Sequence, residues 1–126
     1  MIKMLLDSVI LIDHLNDVPP AISFIANLDV KKTAISAISY AEILTGVRED
    51  SIEKVKAFLN QYNFMDIDRE IAEKAANLRR INRWKLPDAF QAALAIRHGV
   101  KLCTRNTKDF DPEKHAFVEV PYTLEK

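Results

Sequence analysis

The sequence predicts an α/β fold in which helices cover both faces of a mainly parallel sheet. Three observations support this prediction. Short apolar runs alternate along the chain with longer segments whose apolar residues recur at helical spacing. The first of these runs, residues 2–6, shows no sustained polar alternation, which is typical of a strand buried on both faces. Proline, glycine and helix-capping residues separate the segments, so that strand and helix follow one another in turn.

The first half of the chain supplies two strands and the helices that follow them. Asp7 or Ser8 can cap the first helix, and Pro19 and Pro20 favour the start of the second, because proline fits a first helical turn. The predicted elements are a strand at 2–6, helices at 9–15 and 19–28, a strand at 33–38, and a helix that starts at Ser36 or Ser39 and stops at Gly46.

The second half continues the alternation. Asp68 can cap a long helix, and Pro87 and Asp88 begin another whose apolar residues surround most of its circumference. That second helix should therefore be buried, and Gly99 ends it. The predicted elements are a helix with Ile52, Val55, Leu59 and Tyr62, a strand at 64–67, a helix with the stripe Ile71, Ala75, Leu78 and Ile81, the buried helix, and strands at 100–104 and 117–120.

Size and composition fit one globular domain. The chain has 126 residues, of which 48% are apolar and 29% charged, and we expect a single domain spanning residues 1–126. Residues 1–6 are too few for a signal peptide, and no apolar stretch approaches the roughly 20 residues of a membrane helix. The single cysteine, Cys103, cannot form an internal disulfide, which indicates a reducing compartment. We therefore expect a cytoplasmic protein without membrane contact.

Charge is balanced overall but unevenly distributed. The formal net charge is zero. Between residues 79 and 108 the sequence holds a single acid, Asp88, and eight basic residues, which are Arg79, Arg80, Arg83, Lys85, Arg97, Lys101, Arg105 and Lys108. Such a segment could steer a polyanion, or it could simply form solvated helix faces.

Four acids fall near one edge of the predicted sheet although they come from distant parts of the chain. Asp7 follows the first strand, Glu42 lies in the helix after the second, and Asp88 lies in the first turn of the buried helix. Asn106 and Asp109 follow a late strand, and ligand sites in such folds lie beyond the carboxyl ends of the strands. Crowded carboxylates repel one another, and Mg²⁺ or Mn²⁺ would remove that cost.

Each acid also has an ordinary structural interpretation. Asp7 and Asp88 could be helix caps, Glu42 an exposed helix residue, and Asp109 part of a turn. Response-regulator receivers also place acids at the ends of parallel strands. The histidines have no ligand-like spacing, so a zinc site is not expected. Spacing alone therefore favours a site for a hard divalent cation and leaves a receiver-like switch open.

Three segments resemble the PIN domain family. "LLDSVILIDHL" at 5–15 resembles the opening motif, whose aspartate ends the first strand, and "ISAISYAEILTG" at 35–46 resembles the segment with the family's glutamate. The most specific match is "LPDAFQAALAIRHGVKLCTRNTKDF" at 86–110. The segments keep the order and spacing of the family over nearly the whole chain. In chain length and in the residues of these motifs, the chain is most similar to the toxins of VapBC toxin–antitoxin pairs.

The resemblance implies a three-layer α/β/α fold and Mg²⁺-dependent hydrolysis of RNA, with Mn²⁺ as an alternative ion. Asp7 and Asp88 match the principal metal ligands of the family. Glu42 matches its glutamate, which is a ligand through water or a base, and Glu42 is our candidate for the base. Asp109, together with Asn106, matches the fourth acidic position.

Residues beside the acids are candidates for binding or orienting the substrate. Arg105 and Lys108 could offset charge on a phosphate, and Ser8 could orient Asp7 or only cap its helix. Val9 departs from the family, whose members commonly carry Asn or Ser there, so that a polar group ordering the metal site would be missing. Its loss bears on metal affinity and turnover more than on the class of reaction.

The resemblance also implies a homodimer and a VapB-like antitoxin. An antitoxin helix would need an apolar groove, which Val9, Leu11, Ile12 and Leu15 could supply if they are not plain core residues. Outside the site, we expect Asp13 to be solvated, Trp84 to pack in part against the fold, and Cys103 to be a core strand residue.

Three alternatives to the toxin interpretation remain open. The first is a PIN-domain nuclease that processes RNA without an antitoxin. The second is a PIN-like binding module whose activity has decayed, which the apolar Val9 supports and the four intact acids oppose. The third is a receiver-like switch, in which Glu42 has no role and the expected late lysine is missing.

Overall fold

The structure is a computed structural model that describes residues 1–124, and it contains one sheet of five strands. The strands are β1 (Met4–Leu6), β2 (Thr33–Ser36), β3 (Asn63–Met65), β4 (Lys101–Cys103) and β5 (Val118–Glu119). Their order across the sheet is β3-β2-β1-β4-β5, and every neighbouring pair runs parallel. The strands are shorter than the runs that predict them, but each lies inside or within a residue of its predicted run.

Within residues 1–124, six helices lie in pairs between β1 and β2, between β2 and β3, and between β3 and β4. They are α1 (Ser8–Leu15), α2 (Pro19–Ala26), α3 (Ala37–Gly46), α4 (Ile52–Leu59), α5 (Arg69–Asn82) and α6 (Leu86–His98), and short 3-10 turns occupy Val30–Lys32 and Glu49–Ser51. Within residues 1–124, no single helix is long and apolar enough to cross a bilayer; α1 and α2 pass that test of length and composition only as a pair, which is bent by 109° at its break.

Alternate residues of the strands face two different helical layers. Leu5 belongs to a core that it shares with residues of α5 and α6, whereas Leu6 belongs to a second core with residues of α1, α3 and α4. The same division separates Ala34 from Ile35 on β2 and Leu102 from Cys103 on β4. The period of two along a strand thus builds the three layers, and the predicted α/β/α fold is confirmed.

Capping side chains fix where several helices begin. Asp7 caps α1 by accepting a hydrogen bond from the Ser8 amide (2.9 Å), and the Ser36 hydroxyl accepts one from Ser39 N (3.0 Å) at the start of α3. Asp68 does the same for α5. Gly99 ends α6 in the left-handed conformation, with φ of 64°. These residues are the caps that the sequence predicts.

Two predicted core positions are more exposed than expected. Ile81 closes the predicted stripe of α5 but is 69% exposed, because α5 ends one residue later and leaves its last turn without a covering element. Ile96 on α6 is 38% exposed. Trp84, in the connection between these helices, is instead fully packed at 4% exposure.

The parallel arrangement places the carboxyl ends of the strands along one edge. β1 and β4 pair in register, with Leu6 opposite Cys103, and the Asp7 amide continues the ladder by donating to the Cys103 carbonyl (2.9 Å). Asp7 is therefore the first residue beyond the central strand, at the edge where residues from distant parts of the chain meet.

Candidate functional site

The four predicted acids line one open cleft at this edge of the sheet. Its volume is about 500 Å³. The lining residues are Asp7, Ser8, Val9, Glu42, Lys85, Pro87, Asp88, Arg105, Asn106, Thr107, Lys108 and Asp109. The structure therefore brings together every residue that the sequence singles out for this site, and it adds Lys85.

Asp7 is buried at the floor of the cleft and is held by three donors. The Ser8 amide (2.9 Å) and Gln91 Nε2 (3.2 Å) donate to its Oδ1, and the Thr104 hydroxyl donates to its Oδ2 (2.7 Å). Burial raises the pKa of Asp7, while these hydrogen bonds oppose the rise. A carboxylate has about four acceptor positions, so the three donors leave one position on Oδ2 without a protein partner among residues 1–124.

Asp88 experiences the repulsion of the other acids. Burial is the largest cause of a rise in its pKa to about 6. The other three acids add to this rise through their negative charges, whereas Lys85 opposes it. The pKa of Glu42 is also raised, by partial burial of its carboxyl and by the charge of Asp7, against a hydrogen bond from Ser8. The cleft is thus a region where negative charge is costly.

Asp109 is held from both its side chain and its main chain. Asn106 Nδ2 donates to Asp109 Oδ2 (3.0 Å), and the indole Nε1 of Trp84 donates to the Asp109 carbonyl (2.8 Å). The Thr104 hydroxyl, which binds Asp7, also accepts from the Asn106 amide (3.0 Å). One short loop therefore connects the first and fourth acids. Trp84 packs as expected, and it also anchors this loop.

Arg105 lines the cleft, but its guanidinium is paired with Asp13. Nε and Nη2 reach the two carboxylate oxygens at 2.5 and 2.9 Å, and the Tyr122 hydroxyl donates to the same carboxylate (2.8 Å). The expectation that Asp13 is solvated was wrong: it is 5% exposed, because α1 directs it toward the loop after β4. The hydrogen bond from Arg105 is the main cause of the lowered pKa of Asp13. The charge of Arg105 is therefore largely balanced.

The basic segment does not form one surface. Arg97 pairs with Glu70 (2.6 Å), Arg79 Nη1 donates to the Trp84 carbonyl, and Lys101 Nζ donates to the Ala116 carbonyl. Among the eight basic residues, only Lys85 and Lys108 join Arg105 on the walls of the cleft. Both of these lysines are exposed. They are the cations that can meet a phosphate there.

The donor set fits a hard divalent cation in its chemistry. Four carboxylates and one amide offer oxygen ligands, and a cation would offset the charges of the other three acids, which add to burial in raising the pKa of Asp88. Within residues 1–124, no three His, Cys, Asp or Glu side chains are yet close enough to hold an ion together. The exposed Glu42 and the half-buried Asp88 and Asp109 would have to turn toward Asp7 on binding.

A second, larger depression adjoins the cleft. This apolar groove lies between α1, α3 and α4 and has a volume of about 630 Å³. Its residues are Ile12, His14, Leu15, Asn16, Glu42, Ile43, Gly46, Val47, Arg48, Ser51, Lys54, Val55 and Phe58. Ile12 and Leu15 line it as the sequence suggests, whereas Leu11 is buried in the core and Val9 lies on the wall of the cleft. Glu42 borders both depressions.

The comparison with protein families decides the classification of the chain. The model of the PIN domain matches residues 4–112, which include all four acids of the cleft. The chain belongs to the PIN domain family. The resemblance found in the sequence is thereby confirmed. No curated protein sequence matches the chain significantly.

Several solved structures share the fold of this PIN domain over nearly the whole chain. A chain of a toxin–antitoxin complex from Klebsiella pneumoniae is 32% identical, with 97% of this chain and 100% of that chain covered and a TM-score of 0.88. The DNA-bound VapBC from Salmonella typhimurium is 20% identical, with coverage of 97% and 100% and a TM-score of 0.80. FitAcB from Neisseria gonorrhoeae is 21% identical, with coverage of 94% and 98% and a TM-score of 0.78.

Two polar side chains that hold the acids of this PIN domain escape sequence reasoning. Thr104 stands inside the quoted "TRNTKDF" segment, where the basic and acidic neighbours drew attention instead. Gln91 had a usable signal, since it is the one strongly polar residue between Asp88 and Arg97 in a helix that is otherwise apolar. A buried polar side chain requires a partner, and this rule points from Gln91 to a polar site.

Proposed function

We propose that this PIN domain is a Mg²⁺-dependent ribonuclease that acts as the toxin of a toxin–antitoxin pair. The observation that carries the proposal is the convergence of Asp7, Glu42, Asp88 and Asp109 on one cleft that also presents Lys85. Acids that repel one another at a site beside exposed lysines suit a cation and a phosphodiester better than any neutral ligand.

Each residue has a definite task in the proposed reaction. Asp7 and Asp88 would hold Mg²⁺, with Glu42 and Asp109 completing the set; Mn²⁺ would fit the same oxygens. When bound, the ion supplies Lewis acidity and offsets negative charge at the scissile phosphate. Glu42 accepts the proton of the attacking water, and its exposed side chain and raised pKa suit a base.

Other side chains bind and orient. Lys108 and Lys85 would contact phosphates of the RNA at the cleft walls, while Arg105 supports the loop through Asp13 and adds little free charge. The Ser8 amide donates to Asp7 Oδ1, so that Asp7 rather than Ser8 caps α1, and the Ser8 hydroxyl hydrogen-bonds to Glu42. Asn106 positions the fourth acid by its amide.

The experiment is cleavage of a panel of transfer, ribosomal and messenger RNA fragments with Mg²⁺, Mn²⁺ or EDTA. We expect metal-dependent cleavage that is lost in Asp7→Asn and Asp88→Asn. Asp66→Asn is the matched control, because Asp66 follows β3 at the same edge of the sheet but does not line the cleft. No cleavage by folded protein, together with no rise in melting temperature on adding metal, would contradict the proposal.

An antitoxin would occupy the apolar groove. The groove offers an apolar surface for a helix, and it meets the acid cleft at Glu42, so a cationic side chain beyond the docked segment would reach the acids. The complexes from Klebsiella pneumoniae and Salmonella typhimurium support such a partner. Relief of growth inhibition by the co-expressed product of an adjacent short gene would support the pair. A chain that cleaves RNA and has no such neighbour would be an RNA-processing nuclease instead.

Val9 favours one competing function. It places an apolar side chain on the cleft wall, as expected for a PIN domain that binds RNA without cleaving it. Restoring a polar group with Val9→Asn distinguishes an active nuclease from a PIN domain that only binds RNA. A gain of cleavage in Val9→Asn would show that the wild-type site is impaired. The homodimer and the cytoplasmic location stay predictions, and light scattering of the purified protein tests the first.

A further inference from the structure

Gln91 lies at the point where the elements carrying three of the acids meet. It is 1% exposed and stands on α6, one turn after Asp88. Its Nε2 donates to Asp7 Oδ1 (3.2 Å) beyond β1 and to the Ser39 hydroxyl (2.6 Å) on α3. Ser39 lies one turn before Glu42, and residues three apart share one face of a helix. One side chain therefore connects the positions of Asp7, Asp88 and Glu42.

The two helices that Gln91 joins belong to opposite layers of the fold. α6 packs with the core that contains Leu5, and α3 packs with the core that contains Leu6. They contact each other beyond the strands, where Asp7 begins. The bridge from Gln91 to Ser39 spans this contact between the two layers.

The amide group of Gln91 is oriented by these contacts. Both hydrogen bonds use Nε2, while Oε1 is buried without a partner among residues 1–124. A buried acceptor without a partner costs free energy, so stability alone does not explain a glutamine here. Leucine has a similar volume and would remove the unsatisfied oxygen. The glutamine is therefore better explained by what its two donated bonds do for the site.

We propose that Gln91 is a positioning residue that sets the geometry of the metal site through Asp7 and Ser39. This inference rests on the proposed function, since it assumes that Asp7, Glu42 and Asp88 act together on a cation. Gln91 does not touch the substrate. It restrains the rotation of the Asp7 carboxylate and fixes α3 against α6, so that the acids can converge on one ion. Partners that orient metal ligands are typically worth about 10–100-fold in affinity or activity.

The first measurement is Mn²⁺ binding, read from the loss of the free-ion signal in electron paramagnetic resonance, with no RNA present. We expect Gln91→Leu to weaken Mn²⁺ binding by about 10–100-fold while melting close to wild type. In RNA cleavage, kcat should fall and KM should stay nearly constant, because phosphate binding by Lys85 and Lys108 is intact. Ile71→Val, a buried change on α5 outside the cleft, controls for general loosening of the core.

Ser39→Ala provides an independent variant. It removes the second partner of Gln91 and should weaken Mn²⁺ binding in the same direction. The double variant with Gln91→Leu should be no weaker than Gln91→Leu alone, because both changes break one bridge. If Gln91→Leu proves unstable, Ser39→Ala alone tests the proposal. Unchanged Mn²⁺ binding in Ser39→Ala would then overturn it.

The outcomes separate this inference from the proposed function. If wild-type protein binds no Mn²⁺ and cleaves no RNA, the metal nuclease itself is overturned, and the role of Gln91 with it. If wild type binds Mn²⁺ and Gln91→Leu binds it equally well, only the positioning role is overturned. If both single variants and their double show the expected loss, both proposals are supported.

Discussion

The acid cleft and the apolar groove lie side by side and differ in how their walls are held. In the cleft, two of the four acids are held by directed hydrogen bonds, since Asp7 accepts from Thr104 and Gln91 and Asp109 accepts from Asn106. In the groove, contacts are mainly apolar, and the ring of His14 stacks on Phe58 at 4.8 Å. Directed bonds hold carboxylates in one geometry, which chemistry requires. Apolar packing is non-directional, so the groove can adapt to the surface of a partner.

Among residues 1–124, Glu42 alone borders both regions, and changing it gives the largest expected effect. Glu42→Gln keeps the shape of the side chain and removes its charge and basicity. Cleavage should fall by at least about 100-fold, the lower range for loss of a general base. Antitoxin binding in the groove should weaken much less than cleavage, because apolar contacts supply most of its affinity and only a cationic contact with the acids is reduced. The two measurements are the initial cleavage rate on one RNA and the affinity for the antitoxin candidate. Equal losses in both would contradict the assignment of chemistry to the cleft and of partner binding to the groove.

A change at Ile12 should weaken binding in the groove and leave cleavage nearly unchanged. It is 41% exposed on α1 and lines the groove but not the cleft. Ile12→Asp should lower antitoxin affinity by about 30-fold, the effect of losing one strong interface contact of about 2 kcal/mol. Cleavage should stay within about twofold of wild type. Ile96→Asp is the matched control, since Ile96 is 38% exposed on α6 and lines neither depression. A loss of cleavage in Ile12→Asp would mean that the two regions are coupled.

The sequence predicts the placement of the acids better than the contacts that hold them. Asp7 could be placed at the sheet edge because it directly follows a buried strand, and all parallel strands end at the same edge. Its partner Thr104 lies 97 residues away, and Arg105 lies 92 residues from Asp13. Such pairs depend on how each helix is rotated against the sheet, which an apolar pattern fixes only to within a turn.

The basic residues illustrate the same limit. Their clustering in sequence suggests one surface, but the alternation of helix, loop and strand directs them apart. Arg97 on α6 turns to Glu70 on α5, and Arg105 turns to Asp13 on α1. Composition therefore predicts the amount of charge in a segment, whereas the helical period and the long-range partners decide which of these charges reach the cleft.

Asp88, in the cleft, makes the stability of the fold depend on pH. Its folded-state pKa of about 6 lies above the ordinary value of 3.8, so the protonated form stabilises the fold fully below about pH 4. This contribution is lost as the pH rises through 6. Because Asp88 is only half-buried, solvent screening limits the effect to about 1 kcal/mol. Asp88→Asn should therefore melt about 4 °C higher than wild type at pH 8 and equally at pH 4.

Melting curves at the two pH values test this directly. Saturating Mg²⁺ should reduce the difference in melting temperature between Asp88→Asn and wild type at pH 8. In the wild type, the bound cation offsets the repulsion between Asp88 and the other three acids. Ile12→Asp, in the groove, should show no comparable gain at pH 8. If Asp88→Asn melts lower than wild type at pH 8, the acids are not in mutual repulsion, and the electrostatic argument for a cation in the cleft fails.

The smallest expected effect concerns the lysines on the cleft walls. Lys85→Ala or Lys108→Ala should raise KM for RNA about threefold with little change in kcat, since an exposed cation contributes mainly to phosphate binding. Each should reduce the slope of log affinity against log salt by about 0.7–1, the value for one lost phosphate contact. Lys54→Ala is the matched control, because Lys54 is an exposed lysine of the groove. If Lys54→Ala changes the salt slope as much as Lys85→Ala, RNA also crosses the groove, and an antitoxin docked there would compete with the substrate directly.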